Sequence, residues 1–130
     1  MIAIDTSTLI AYLSGDHGPD VDATGIALEH RQAVLPPVVL AELSSDPRLG
    51  TEVRELLAGL PMLDLLDGYW ARAGLLRAKT LARRRKAALA DVLIAQACLD
   101  HDVELVTRDR DFAPLAHLTG LRLIPAATSR

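Results

Sequence analysis

Three carboxylates of this sequence stand in apolar stretches that contain no other charged residue. They are Asp5 within residues 1–15, Glu42 within residues 32–45 and Asp91 within residues 87–99. An ionised carboxylate in apolar surroundings is costly unless a cation or hydrogen-bond donors meet it. These acids are therefore candidates for chemistry, and what chemistry they do depends on whether the fold brings them together.

Asp91 is the most informative of the three. The segment Leu89–Leu99 is apolar nearly all round, which predicts a buried helix. The helical period places Asp91 beside apolar positions of that helix: they are Ala87, Ile94, Ala95 and Cys98. Asp is also favoured in the first turn of a helix, where the helix dipole stabilises it, so a capping role stays open.

A fourth acid, Asp109, lies in the charged segment Thr107-Arg108-Asp109-Arg110-Asp111, which alone is typical of a solvated turn. Asp5 and Glu42 have structural alternatives too. Asp5 could cap the helix that follows it, and Glu42 could lie on an exposed helix face. A structural explanation for all four acids together is less favoured than for any one of them.

Strands and helices alternate along the chain, and its length is that of one domain spanning residues 1–130. Predicted strands are Ile2–Ile4, Ala33–Leu35, Met62–Leu66, Glu104–Val106 and Arg122–Ile124. Predicted helices are Ser7–Leu13, Val21–Arg31, Pro37–Ser45, Leu49–Leu57, Gly68–Arg83, Leu89–Leu99 and Phe112–Leu118, with a loop over residues 14–20. This order predicts an α/β fold: an open, mostly parallel sheet flanked by helices on both faces.

The α/β prediction brings two of the acids together. Asp5 directly follows the first predicted strand, and Asp109 shortly follows the strand Glu104–Val106. Ligands of open α/β sheets bind outside the carboxyl ends of the strands. We therefore expect Asp5 and Asp109 to line one crevice.

Clustered carboxylates repel each other, and their pKa values rise unless a cation neutralises them. No His or Cys pattern with zinc spacing accompanies them, since the histidines are scattered in polar segments: His17, His30, His101 and His117. A site of oxygen ligands alone suits Mg²⁺, or else Mn²⁺. Such ions commonly serve phosphoryl chemistry by activating water and stabilising charge on oxygen.

Other α/β enzymes with acidic pockets fit the sequence less well. A phosphatase of the haloacid dehalogenase type needs a second Asp two residues after the first, but Thr6 and Ser7 follow Asp5. A response-regulator receiver needs a late catalytic Lys, and no Lys follows Lys86. No glycine-rich run precedes a Lys-Ser or Lys-Thr pair, which excludes a Walker-type phosphate loop.

Four segments, in this order, resemble the PIN-domain family and within it the small VapC-type toxins. They are Ile4-Asp5-Thr6-Ser7-Thr8-Leu9-Ile10, Leu40-Ala41-Glu42-Leu43, Leu89-Ala90-Asp91-Val92-Leu93-Ile94-Ala95 and Leu105-Val106-Thr107-Arg108-Asp109-Arg110-Asp111-Phe112. Each segment alone is only modestly specific. Together they span nearly the whole chain and give a strong signal.

The resemblance implies a PIN-like parallel sheet and a set of acids around Mg²⁺, with RNA as substrate. It also implies a homodimer and an antitoxin protein that covers the site. The implied catalytic and metal-binding acids are Asp5, Glu42, Asp91 and Asp109. The implied accessory residues are Asp111 and the hydroxyl residues Thr6, Ser7 and Thr107, as partners of the carboxylates or of metal-bound water.

The net charge of −3 and the sequence pI of about 5.7 disfavour a nucleic acid partner, but the charges are unevenly distributed. Seven of the 14 basic residues lie in residues 72–86, and no acid occurs between Asp67 and Asp91. We call six of them the basic strip: Arg72, Lys79, Arg83, Arg84, Arg85 and Lys86. The first three fall within about 40° of one another on a helix. The strip is either a solvated helix face or a phosphate-binding surface beside an acidic pocket.

Aromatic residues make up only 3% of the chain, which argues against extensive stacking on nucleic acid bases. We expect Tyr12, Tyr69, Trp70 and Phe112 to belong to the core or to an interface. The single Cys98 fits a reducing cytoplasm, and no apolar run reaches membrane-spanning length.

The acid set and the resemblance to the PIN-domain family together predict a metal-dependent endoribonuclease, and the resemblance implies that it is the toxin of a toxin–antitoxin pair. In the predicted reaction, activated water attacks phosphorus and leaves a 5′-phosphate and a 3′-hydroxyl. The alternative is a PIN-fold module that binds RNA or protein without significant catalysis. The presence of all four acids favours the enzyme. These residues leave open a DNA nuclease, and they do not indicate which RNA is cut.

Overall fold

A computed structural model describes residues 1–126 of the chain. Within them, four short strands alternate with seven α-helices and one 3₁₀ helix. The elements in chain order are β1 (Ile2–Ile4), α1 (Thr6–Leu13), α2 (Pro19–Glu29), β2 (Ala33–Val34), α3 (Pro37–Ser44), α4 (Thr51–Ala58), α5 (Tyr69–Ala82), α6 (Leu89–Asp100), β3 (Glu104–Val106), the 3₁₀ helix Arg110–Phe112, α7 (Ala113–Thr119) and β4 (Leu123–Ile124).

The strands form one parallel sheet in the order β2-β1-β3-β4. The chain passes from β1 to β2 on one side and later returns to β3 on the other side of β1. The strand order therefore reverses between β1 and β3, and such a reversal opens a crevice at the carboxyl ends of the two strands. Ile4 pairs with Val106 at that end of the sheet.

Both faces of the sheet are covered. Consecutive residues of a strand point to opposite faces, yet Ala3 and Ile4 of β1 are both fully buried, as are Leu105 and Val106 of β3. The α/β fold with a parallel sheet and flanking helices is thus confirmed.

Helix α6 is the buried helix that the sequence predicts. Its buried residues lie all round the helix: they are Val92, Ile94, Ala95, Gln96, Ala97 and Cys98. Because α6 packs in the core, its N-terminal turn, which contains Asp91, is held in place relative to the sheet.

The predicted strand Met62–Leu66 is wrong. The structure has only an isolated bridge between Leu35 and Met62, in which Leu63 N–H donates to the Leu35 carbonyl over 2.9 Å. Pro36 and Pro37 follow Leu35 directly and carry no amide hydrogen, so the pairing cannot continue along the chain. The apolar run of residues 62–66 does not by itself reveal that the neighbouring strand β2 ends at Val34.

The loop predicted over residues 14–20 ends earlier than expected, because α2 already begins at Pro19. Proline is favoured at the first helical position, and Asp20 and Asp22 lie in the positively polarised first turn. Gly18 precedes the helix at φ 146°, where a Cβ would lie 2.8 Å from Asp20 Oδ1. Glycine is therefore needed at this entry to α2.

The aromatic residues divide between the core and the surface. Phe112 is fully buried, and the buried Tyr69 hydroxyl donates to the Leu93 carbonyl over 2.6 Å. Trp70 is 65% exposed. Across residues 1–126, no helix is both long and apolar enough to cross a membrane.

Candidate active site

Asp5 follows β1 directly and its side chain is buried. Its Oδ2 accepts hydrogen bonds from the Ser7 hydroxyl over 2.7 Å and from the Thr107 hydroxyl over 2.8 Å. Burial raises the pKa of Asp5 above its ordinary value, and the nearby Asp109 adds to this, although the two hydroxyls oppose the shift. Asp5 is thus a fixed carboxylate at the crevice.

Asp109 and Asp111 lie in the turn that follows β3. Asp109 accepts from the Asp111 backbone N–H over 2.9 Å, and its own N–H donates to the Thr107 hydroxyl over 3.0 Å. Thr107 is therefore shared, because it donates to Asp5 while accepting from the Asp109 backbone. The turn is an ordered structure that joins the ends of β1 and β3, not a freely solvated one.

Asp91 lies in the first turn of α6, whose N-cap is Ala88 and has no side-chain capping bond. The helix dipole still favours a carboxylate there, but Asp91 is not the cap. Its pKa is raised to about 6, first by burial and then by the charges of four other acids. In order of effect these are Asp109, Asp5, Asp111 and Glu42. The fold therefore brings all the sequence-predicted acids into one electrostatic cluster.

Three of these acids can contact one ion. Carboxylate oxygens of Asp91, Asp109 and Asp111 all lie within 4.8 Å of one another. Asp111, predicted only as an accessory residue, belongs to this group, whereas Asp5 and Glu42 lie outside it. The donor set is carboxylate oxygen throughout, which fits Mg²⁺ or Mn²⁺ and not the softer metals.

Glu42 lies at the edge of the cluster, on α3. Its side chain is exposed, and its Oε1 accepts a hydrogen bond from the Thr6 hydroxyl over 2.7 Å. Thr6 follows Asp5 in the chain, so this bond ties α3 to the end of β1. All three hydroxyl residues singled out in the sequence thus bond carboxylates of the cluster.

The structure divides the basic strip. Arg72 forms a paired contact with Asp100, with its guanidinium nitrogens 2.6 and 3.0 Å from the two carboxylate oxygens. The positive charge of Arg72 is therefore already paired with a carboxylate of the protein. Lys86 instead reaches the acidic cluster, where its Nζ lies 2.9 Å from Asp111 Oδ2.

Lys79 and Arg83 keep the shared face that the helical period predicts. With Arg72 they line one side of a groove of about 640 Å³ along α5. The groove also contains Leu75, Leu76, Ala82, Gln96, Leu118 and Thr119. Arg84 and Arg85 are exposed in the segment that follows α5.

Sequence reasoning missed an ion pair that supports the site. Arg108 Nε lies 2.8 Å from Asp20 Oδ2, and the Thr8 hydroxyl donates to the same oxygen over 2.9 Å. Burial would raise the pKa of Asp20, but these hydrogen bonds outweigh it and hold the pKa below its ordinary value. The pair joins α2 to the residue before Asp109. The only sequence signal was an acid beside Gly18 and Pro19, which is typical of a loop.

Comparison with known proteins identifies the family. A sequence profile described as "PIN domain" matches residues 2–118. The chain is 32% identical to "VapC ribonuclease Mb1587" of Mycobacterium bovis and to "Ribonuclease VapC11" of Mycobacterium tuberculosis, with 94% of this chain and 96% of each relative covered. The chain therefore belongs to the PIN-domain family, in its VapC-type branch.

Solved structures share the fold. The VapBC-5 toxin–antitoxin structure from Mycobacterium tuberculosis matches with a TM-score of 0.66 at 21% identity, covering 94% of this chain and 95% of that one. VapBC2 from Rickettsia felis, bound to a promoter DNA fragment, matches with a TM-score of 0.67 at 21% identity, covering 95% and 97%. The β2-β1-β3-β4 sheet with its helices is thus a PIN fold.

Proposed function

We propose that this protein is a Mg²⁺-dependent endoribonuclease and the toxin of a toxin–antitoxin pair. The observation that carries the proposal is the cluster of Asp91, Asp109 and Asp111, whose oxygens lie within 4.8 Å of one another beside the buried Asp5. Relatives at 32% identity are named as ribonucleases, which supports RNA as the substrate. Fold neighbours come from toxin–antitoxin structures, which supports an antitoxin partner.

Asp91, Asp109 and Asp111 would hold the ion. A bound divalent ion supplies positive charge at the scissile phosphate and a more acidic water molecule for attack on phosphorus. Its charge would also offset the repulsion among the acids, which together with the larger effect of burial raises the pKa of Asp91. The electrostatics of these acids therefore suit a bound cation.

The remaining residues would orient the site. Ser7 and Thr107 fix the Asp5 carboxylate beside the ion-binding acids. Glu42, exposed and held by Thr6, is accessible from the solvent through which RNA must approach. Lys79, Arg83, Arg84 and Arg85 would contact flanking phosphates, since an acidic pocket repels RNA unless cations lie beside it. Arg72 contributes less to this surface because Asp100 already pairs with it.

The test of the proposed activity is cleavage of RNA by the purified protein with and without metal. We expect cleavage with Mg²⁺ or Mn²⁺, complete loss in EDTA and recovery when Mg²⁺ is restored in excess. Full activity in EDTA would contradict the metal mechanism. RNA binding without any cleavage, whatever metal is added, would instead indicate a binding module on the PIN fold.

The toxin assignment has its own test. Expression of the chain without a partner should arrest growth, and co-expression of the cognate antitoxin should restore it. The homodimer remains a prediction, which light scattering of the purified protein can check. Normal growth with abundant, folded protein would contradict the toxin assignment and leave the nuclease assignment to the cleavage assay.

A further inference from the structure

Among residues 1–126, Lys86 is the cation that forms an ion pair with the acidic cluster. Its Nζ lies 2.9 Å from Asp111 Oδ2, and Asp111 is one of the three acids whose oxygens can contact a single ion. The ammonium thus shares a carboxylate with the candidate metal site.

The backbone on either side of Lys86 is held in place, so the contact does not depend on a loose segment. Arg77 Nε donates to the Ala87 carbonyl over 2.8 Å, and the Arg85 N–H donates to the Thr80 carbonyl over 3.2 Å. The Lys86 side chain itself is 71% exposed. A fixed backbone with a free, flexible side chain lets the ammonium leave Asp111 without any change in fold.

Two other ion pairs of the chain, Arg72–Asp100 and Arg108–Asp20, have buried carboxylates and are built differently. The carboxylate of Asp100, paired with Arg72, is 9% exposed, and that of Asp20, paired with Arg108, is 4% exposed. The Asp111 carboxylate is 37% exposed. Arginine at the first two pairs makes several directional hydrogen bonds, whereas the lysine at Asp111 makes a single contact. The first two pairs are structural, and the third is exchangeable because an exposed ion pair contributes little stability.

We propose that Lys86 is a built-in counter-ion of the acidic site, which competes with the divalent ion for Asp111 and is displaced when that ion binds. The proposal rests on the proposed metal-dependent function. A doubly charged ion contacting several carboxylates displaces a singly charged ammonium that contacts one. The displaced ammonium remains tethered beside the site, where the phosphates of RNA provide its next partner.

The test measures metal affinity directly, by titrating the purified, metal-free protein with MnCl₂ in a calorimeter. The variants are Lys86→Gln and, as a matched control, Arg85→Gln, which removes the same charge from the same segment without an ion pair to the cluster among residues 1–126. We expect Lys86→Gln to bind Mn²⁺ roughly two- to fivefold more tightly than wild type, as the loss of an exposed ion pair allows. Arg85→Gln should change the affinity by less than that.

A third variant, Asp111→Asn, removes the shared carboxylate. In this background, Lys86→Gln should no longer increase Mn²⁺ affinity beyond the effect of Arg85→Gln, because the carboxylate for which Lys86 and the ion compete is absent. Equal effects of the two Gln variants in the wild-type background, or weaker Mn²⁺ binding by Lys86→Gln, would overturn the counter-ion proposal while leaving the metal site intact. Absence of Mn²⁺ binding by every protein, wild type included, would overturn the metal site and the counter-ion together.

Discussion

At the scale of single residues, the structure explains why isolated acids in apolar segments were informative. Asp91 has no capping bond, is partly buried and feels the negative charges of four other carboxylates, so its own negative charge is unfavourable in the folded protein. Such an arrangement destabilises the folded protein unless a cation is present. The arrangement therefore indicates that these acids bind an ion and do not serve to stabilise the fold.

A stability measurement on Asp91→Asn in metal-free buffer tests this interpretation. The pKa of Asp91 is raised from 3.8 to about 6, so the folded protein binds the proton more tightly than the unfolded chain. The contribution of Asp91 is therefore least unfavourable at low pH, and it becomes destabilising as the pH rises through about 6.

Asp91→Asn removes this charge and should melt at the same temperature as wild type or higher at pH 7.5, with a smaller advantage at pH 5. Thermal melts in EDTA at the two pH values, followed by circular dichroism, provide the measurement. Added Mg²⁺ should stabilise the variant less than it stabilises wild type. The variant lacks one metal-binding carboxylate, and an ion that binds the folded state more weakly stabilises it less. A variant that melts well below wild type at pH 7.5 would show that Asp91 has a structural role instead.

At the scale of elements, the site depends on contacts that join distant parts of the chain to the turn after β3. The Arg108–Asp20 pair fixes α2 against the residue before Asp109, and Thr107 joins the same turn to Asp5. The Asp20 carboxylate is only 4% exposed, so without Arg108 it would be a buried negative charge with no positive partner. These contacts hold the acids in place before any ion arrives.

Asp20→Asn should lower the free energy of unfolding by about 1 to 2 kcal/mol, because it weakens the charge-assisted hydrogen bonds that the buried Asp20 carboxylate accepts from Arg108 and Thr8. Asp22→Asn is the matched control, since Asp22 is exposed in the same helical turn and carries the same charge. Its effect should stay within about 0.5 kcal/mol. Urea unfolding of both variants gives the comparison, and equal small effects would contradict a supporting role for Asp20.

Sequence alone predicted much of the element order, for physical reasons that particular elements show. The lone acid in the apolar segment Leu89–Leu99 placed Asp91 on a buried helix, and the strand ends placed Asp5 and Asp109 at one crevice. Met62–Leu66 was mispredicted because an apolar run does not reveal whether a neighbouring strand extends far enough to pair with it. The Arg108–Asp20 pair and the Lys86–Asp111 contact were missed because both join residues far apart in the chain.

At the scale of the whole molecule, the charge distribution reconciles an acidic protein with the proposed RNA substrate. The acids Asp5, Asp109 and Asp111 follow the carboxyl ends of β1 and β3. The exposed cations of residues 79–85 lie on and just after α5. Lys86 lies where the two regions meet. A net charge of −3 therefore does not describe the surface that RNA would meet.

The most direct test of the central claim, that these acids form the catalytic site of a nuclease, is the rate of RNA cleavage in Mg²⁺ by wild type, Asp91→Asn and Glu52→Gln. Glu52 is exposed on α4 and does not belong to the cluster, so Glu52→Gln removes one negative charge from a different part of the surface. We predict that Asp91→Asn cleaves RNA about 100-fold more slowly or worse while remaining folded, because it loses a carboxylate that supports charge stabilisation at the phosphate. Glu52→Gln should retain the wild-type rate. Near-normal cleavage by folded Asp91→Asn would contradict the claim.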